Sequence, residues 1–116
     1  MSDDTPLPVS ALLAAVPVRD ADAAREFYER LLGTPPSEAP MPGLTQWDVA
    51  GGVLQVVVDA DRAGGGLLTL VVEDVGSAAA ALRARGLEVD VATGEVVTAL
   101  TQLLDPDGNA ITLVQA

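Results

Sequence analysis

The reactive side chains of this chain are carboxylates, arginines and a scatter of hydroxyls and amides. Among its 116 residues there is no histidine, no cysteine and no lysine; the six cations are Arg19, Arg25, Arg30, Arg62, Arg83 and Arg85. Zinc sites built on Cys or His are thereby excluded. So are the two-His-one-carboxylate iron site, haem held by His or Cys, and cysteine-ligated iron–sulfur clusters. Nucleophile couples that need His or Cys fall away, as does thiol redox chemistry. What is left is metal chemistry through oxygen ligands, acid–base work by carboxylates, or binding without chemistry.

Two local patterns resemble ligand sites and fail on their details. Gly64-Gly65-Gly66 lacks the Lys-Ser/Thr that follows a phosphate loop, and it opens a strand rather than a helix. Asp105, Asp107 and Asn109 alternate like a calcium loop, but Pro106 interrupts them, the glycine comes too early and no Glu closes the run. With Pro at i+1 and Gly at i+3, that segment reads as a type I turn. Seventeen acids against six bases give a net charge of −11. Such a surface repels phosphate, so no nucleic acid is expected as a partner. The scattered acids read as solvated faces, with a weaker second role in drawing in cationic ligands.

The elements that must position these groups follow from periodicity. Residues 1–8 read as a polar flexible leader and 9–116 as one domain of a size that folds unaided. Ser10 to Val18 is a strand candidate. Asp20 is an N-cap before Ala21 to Leu32, where Ala24, Phe27, Tyr28, Leu31 and Leu32 form one apolar stripe ending at Gly33. Residues 36–43 read as loop with room for a very short strand. Leu44–Val49 and Val53–Val58 form a hairpin around Ala50-Gly51-Gly52. The pattern then restarts: a strand at Leu67–Val72, a helix from Asp74 to Arg85 closed by Gly86, and strands at Leu87–Val91, Val96–Leu104 and Ala110–Val114. Val18-Arg19-Asp20 mirrors Val72-Glu73-Asp74, which makes the chain two similar modules, about 9–60 and 66–116. No stretch is apolar enough to span a membrane, and the acidic N-terminus lacks signal-peptide features. A cytoplasmic protein without a membrane partner is expected.

The order Val18-x-Asp20, Phe27-Tyr28, Leu32-Gly33, Val72-x-Asp74 and Asp105-Pro106-Asp107-Gly108-Asn109 resembles the vicinal oxygen chelate superfamily, the glyoxalase/bleomycin-resistance/dioxygenase group, from about Leu12 to Val114. The resemblance implies an α+β fold of two βαβββ modules whose sheets curl around a cavity. Relatives with chemistry hold a divalent metal there, and their four ligand positions carry over to Leu13, Gln55, Leu67 and Thr112. None is a carboxylate, so the resemblance implies neither metal nor other cofactor here, and a metal-free branch that sequesters small molecules.

Alternation along the strands sharpens the expected site. Ile111 and Leu113, Leu54, Val56 and Val58, and Leu68, Leu70 and Val72 should face the helices. Ala110, Thr112 and Val114, Val53, Gln55 and Val57, and Leu67, Thr69 and Val71 should face the other way. Both faces are largely apolar, which implies cover on both. The candidate ligand residues are Leu13, Trp47, Gln55, Val57, Leu67, Thr69, Thr112 and Val114. The expected ligand is a small cationic or aromatic molecule, and the expected assembly is a homodimer. Gln55, Thr69 and Thr112 either hold that ligand or satisfy buried neighbours; Trp47 is either a core or interface anchor or a stacking wall. An enzyme using Asp48 or Glu95 as a base is the second reading, and a dimerisation module without catalysis the third.

Overall fold

The computed structural model describes residues 4–89 and 100–116. Within them each half of the chain opens with a strand that runs into an aspartate and a helix. The first half comprises β1 (Leu13–Val18), α1 (Ala21–Leu32), β2 (Glu38–Met41), β3 (Leu44–Val49) and β4 (Gly52–Val58). The second comprises β5 (Leu67–Val72), α2 (Val75–Ala84), β6 (Leu100–Leu104) and β7 (Ala110–Gln115). Strands and helices are organised as the two modules of an α+β fold.

The helix ends follow the expected capping chemistry. Asp20 Oδ1 accepts the N–H groups of Asp22 and Ala23 at 2.9 and 3.2 Å, and Asp74 Oδ1 accepts that of Ser77 at 2.9 Å. Gly33 takes the left-handed conformation that ends α1, at φ 74°. The N-capping Asp74 and the C-terminal Arg85 lie just outside α2. Ala50 and Gly51 both have positive φ, which is the type I′ geometry that lets Val49 pair with Gly52 across a two-residue hairpin.

Four strand readings need adjustment, the first being Ser10 to Val18, of which only Leu13–Val18 is strand. The short strand allowed for between 36 and 43 is β2, which pairs antiparallel with β3 through an irregular register. Residues 87–89 are not strand, and the rest of the Leu87–Val91 reading lies outside the described residues. Of Val96–Leu104, only Leu100–Leu104 is described, and it is β6.

Two sheets result, in the orders β1-β4-β3-β2 and β5-β7-β6. In each, the module's opening strand runs parallel to its last strand, Ala15 beside Gln55 and Thr69 beside Thr112. The helices cover one face. Val16, Val18, Leu54, Val56, Ile111 and Leu113 are buried beneath them, together with Phe27, Tyr28 and Leu31 of α1 and Ala79 and Leu82 of α2. Val58, expected to face the helices, is exposed at its strand end.

The expectation of cover on both faces is corrected here: the chain itself covers only one. β1 and β5 are edge strands of separate sheets, and the sheets do not close. They approach one another where β1 passes β5: Asn109 Nδ2 donates to Pro17 O at 2.7 Å, and Gly66 lies so near Val16 that a Cβ there would sit 3.0 Å from its Cγ1. The face opposite the helices carries Leu13, Leu67, Val71, Leu100 and Leu104 exposed. An apolar face requires cover, but nothing in a sequence says that the cover must come from the same chain.

Candidate functional site

The open faces of the two sheets carry the residues that alternation assigned to them. Leu13, Gln55 and Val57 stand on the first sheet, and Leu67, Thr69, Thr112 and Val114 on the second; all are partly or fully exposed, while the intervening Leu54, Val56, Ile111 and Leu113 are buried. Trp47 is the exception. Its ring is fully buried on the helix side, 6.1 Å from that of Tyr28, and its Nε1 donates to Thr34 O at 3.0 Å. Both ring faces are enclosed, so Trp47 is a core anchor and no stacking wall. The signal was present in its neighbours: Gln46 and Asp48 alternate with it and mark the opposite face as the polar one.

Strand register arranges the open face in rows. On the first sheet, Ala15, Gln55 and Gln46 lie side by side across β1, β4 and β3. Thr69, Thr112 and Gln102 do the same across β5, β7 and β6. Within these rows Gln55 Nε2 donates to Gln46 Oε1 at 2.8 Å, and Gln102 Nε2 donates to Thr112 Oγ1 at 3.1 Å. On one sheet the flanking rows are Leu13 with Val53 and Asp48, and Pro17 with Val57 and Leu44; on the other they are Leu67 with Ala110 and Leu104, and Val71 with Val114 and Leu100. Gln46 and Gln102 join the site through the register of β3 and β6, which alternation along β4, β5 and β7 alone does not show.

A cavity of about 850 Å³ occupies the first sheet's end of this face. Gln55, Val57 and Leu44 form its floor, Met41 to Gly43 one wall, and Arg19 to Asp22 another. Arg19 is held there by Asp107, its N–H and Nη1 donating to the carboxylate at 3.1 and 3.2 Å. The wall therefore offers a ligand the charges of Asp20 and Asp22. Leu13, Leu67, Thr69, Thr112 and Val114 stand on the open face outside this cavity, so one chain does not gather the predicted residues into a single enclosure.

Behind the Arg19 wall lies a buried network that sequence reading saw only as a turn. Gly108 N–H donates to Asp105 O at 3.0 Å, which closes the expected turn. Asp105 and Asn109 are buried within it. Asp105 Oδ1 accepts the N–H groups of Asp107 and Asn109, and its Oδ2 accepts Tyr28 Oη at 2.9 Å and Asn109 Nδ2 at 2.8 Å. Asn109 Oδ1 in turn accepts the N–H groups of Gly64 and Gly66 at 3.1 and 2.7 Å. Burial, reinforced by the charge and hydrogen bond of Asp105 and by Asp107, pushes the Tyr28 phenol far above its ordinary 10.0. Every lone pair of the Asp105 carboxylate is thus engaged by a donor, which leaves none for a cation.

The donor set at the four positions carried over from metal-binding relatives is poor. Leu13 and Leu67 offer no donor atom, Gln55 is tied to Gln46, and Thr112 accepts from Gln102. Among the described residues no cluster of three His, Cys, Asp or Glu side chains is placed to hold a metal. Asp48, one of the two carboxylates considered as a base, is exposed on the open face; Glu95 lies outside the described residues. No helix among the described residues is long and apolar enough to cross a membrane.

Fold and face together define a class. Residues 11–113 match the family model described as Glyoxalase/Bleomycin resistance protein/Dioxygenase superfamily. The chain belongs to that superfamily. A glyoxalase/bleomycin resistance protein from Catenulispora acidiphila is 30% identical, with 91% of this chain and 97% of that one covered and a TM-score of 0.79. TnmS3, an antibiotic binding protein from a Streptomyces species, is 28% identical over 95% of this chain and 98% of its own, with a TM-score of 0.76. A bleomycin-binding protein solved with bleomycin shares the fold at 20% identity, over 93% of this chain and 99% of that one, with a TM-score of 0.72. No protein of curated function matches the chain.

Proposed function

We propose that the protein is a metal-independent small-molecule binder that sequesters an aromatic or cationic ligand on the open sheet face. The observation that carries this reading is the composition of the face: two polar rows, Gln55 with Gln46 and Thr112 with Gln102, set among mostly apolar positions, with Asp48 the one carboxylate in the neighbouring rows, where a hard metal needs several. Amide and hydroxyl groups already paired across strands can exchange those bonds for bonds to a guest at little net loss. The similarity to TnmS3, itself an antibiotic binding protein, supports an antibiotic or related metabolite as the guest. Asp20 and Asp22 beside the cavity and the net charge of −11 favour a cation.

In this reading a second copy of the chain covers the exposed Leu13, Leu67, Val71, Leu100 and Leu104, and the ligand lies between the two copies. The chain then acts as a cytoplasmic homodimer, with residues 9–116 as the binding unit. The test is thermal unfolding and calorimetry with bleomycin and a panel of planar aromatic antibiotics, with and without EDTA. At a free ligand concentration a hundredfold above Kd, the expected stabilisation is about 2.7 kcal/mol, unchanged by the chelator. Gln55→Leu combined with Thr112→Val should weaken binding roughly tenfold, the loss of one to two hydrogen bonds. Binding or turnover that appears only after Mn²⁺, Ni²⁺ or Mg²⁺ is added would overturn metal independence. A monomer by analytical ultracentrifugation, with and without ligand, would remove the second copy from the site.

A further inference from the structure

A second cavity, of about 640 Å³, lies at the seam between the modules and reaches the helix side of the sheets. Ala14 and Leu54 of the first sheet, Leu70 and Leu113 of the second, and Ala78 and Ala81 of α2 are among its walls. The repeat explains why space is left there. Asp20 and Asp74 begin equivalent helices 54 residues apart, so Ala81 stands where the first module has Phe27, and Arg85 where it has Leu31. An aromatic ring has become a methyl group, and an apolar end has become a cation.

Arg85 is the one charged side chain in this wall among the described residues. Its Nη1 donates to Arg30 O and Leu31 O at 3.0 and 3.3 Å, which satisfies carbonyls at the end of α1 and fixes the plane of the guanidinium. Nη2 lies against Gly33, where an added Cβ would meet it at 2.9 Å, so the glycine gives the head group its room. Arg19, Arg25, Arg30 and Arg62 are each paired with a carboxylate. Among the described residues no carboxylate pairs with Arg85 or Arg83; Arg83 spends its donors on Val89 O, whereas Arg85 faces the cavity.

We propose that this cavity binds a medium-chain fatty acid, its chain between the two helices and its carboxylate on the donors of Arg85 that the α1 carbonyls do not use. Aliphatic walls with one oriented cation at the edge match an amphipathic monocarboxylate. The large negative charge of the chain disfavours phosphates and other multiply charged anions. This site differs from the open-face reading in its helix-side walls and in Arg85, although Thr69, at the end of the second polar row, borders it as well.

The test is titration of the intact protein with decanoate, below its micelle concentration, followed by methyl and side-chain amide NMR, with decanol as the uncharged analogue. Resonances of Ala14, Ala78, Ala81 and Leu113 should shift, while the amides of Gln46, Gln55 and Gln102 stay in place. Decanoate should bind at least about tenfold more tightly than decanol, the effect of a charge-assisted hydrogen bond. Arg85→Gln should bring decanoate down to the decanol level. Ala81→Phe, at an exposed helix position that tolerates a larger side chain, should abolish binding of both. Equal affinity of the two ligands for the unsubstituted protein, no shift up to the solubility limit, or shifts confined to the glutamine amides would each overturn the site. The last result would place the acid on the open face and leave the proposed function standing; failure of the antibiotic panel, conversely, would leave decanoate binding untouched.

Discussion

The two modules share one element order and one capping scheme, yet they are filled differently. All three aromatic residues belong to the first module. Phe27 and Tyr28 meet edge to face at 5.0 Å, and Tyr28 packs against Trp47. At the equivalent places the second module has Ala81, Leu82 and Leu103, the last two buried. An aromatic cluster buries more area per residue and fixes orientation through ring geometry. An Ala-Leu layer buries less and leaves space beside it. The lesson is that duplicated backbones need not carry duplicated stability: module one is the anchored half, and module two has side-chain volume to spare.

The sharpest way to break that comparison is to remove the largest core side chain from each half. Trp47→Ala should cost about 4 kcal/mol and its counterpart Leu103→Ala about 3 kcal/mol, read as midpoints in urea denaturation. The larger loss in module one reflects a ring flanked by another ring and a hydrogen bond from Nε1 to Thr34 O. Equal losses would mean that the second core is packed as tightly as the first.

Asn109 joins the halves. Its amide bonds Pro17 of the first module, Gly64 and Gly66 of the connecting loop, and Asp105 of the second. Asn109→Ala should cost about 3 kcal/mol, because two buried N–H groups, a carbonyl and a carboxylate oxygen lose a partner together. The expected signature goes beyond a lower midpoint. Unfolding should become less cooperative, with probes in the two modules less closely coincident, since the most connected of the links between them is gone while Tyr28–Asp105, Arg19–Asp107 and Arg85–Arg30 remain. Coincident transitions in the variant would show that the seam holds without it.

Tyr28 reaches across the same boundary with a smaller energy. Tyr28→Phe removes one hydrogen bond to Asp105 and should cost about 1 to 2 kcal/mol near neutral pH. Because the folded protein holds this phenol neutral far above its ordinary 10.0, the folded state binds its proton more tightly than the unfolded chain. The contribution is fully present below about pH 10 and is lost as the pH rises beyond it. Urea midpoints between pH 9 and 11 should therefore fall more steeply for the unsubstituted protein than for Tyr28→Phe. Parallel curves would mean that the phenol ionises freely in the folded state.

How much of this was legible in the sequence depends on the range of the interaction. Asp20 and Asp74 act on N–H groups two or three residues away, so caps and helices could be read directly. The faces of β4, β5 and β7 follow from alternation, a property of single strands, and Gln55, Thr69 and Thr112 lie where it put them. Trp47 belongs to the core by the same rule, since it alternates with Gln46 and Asp48 along β3. The Asp105–Asn109 segment showed its turn type, which is local; its partners Tyr28 and Pro17 are 77 and 92 positions from Asp105 and Asn109 respectively, and no spacing rule reaches that far. Apolar residues on both strand faces announced a need for cover, but whether that cover is the same chain or another is a question of assembly.

The smallest expected effect is also the one that would make the halves more alike. Ala81→Phe restores to α2 the side-chain type that α1 carries at Phe27, over the cavity that the substitution to alanine leaves. Ala81 is exposed at the cavity's rim, so the new ring lies across the opening and shields the half-buried Ala78 without forcing the packed layer apart. Burying part of a ring against aliphatic walls gains about 1 to 2 kcal/mol, and the lower helix propensity of Phe returns about half a kcal/mol of it. The expected net is a stabilisation of about 1 kcal/mol, seen as a higher urea midpoint. In the Trp47→Ala background the gain should stay the same, because the two sites share no partner and distant changes add. A gain that shrinks there would mean that the cavity is braced by the aromatic cluster of module one, and that the spare volume belongs to the seam rather than to α2.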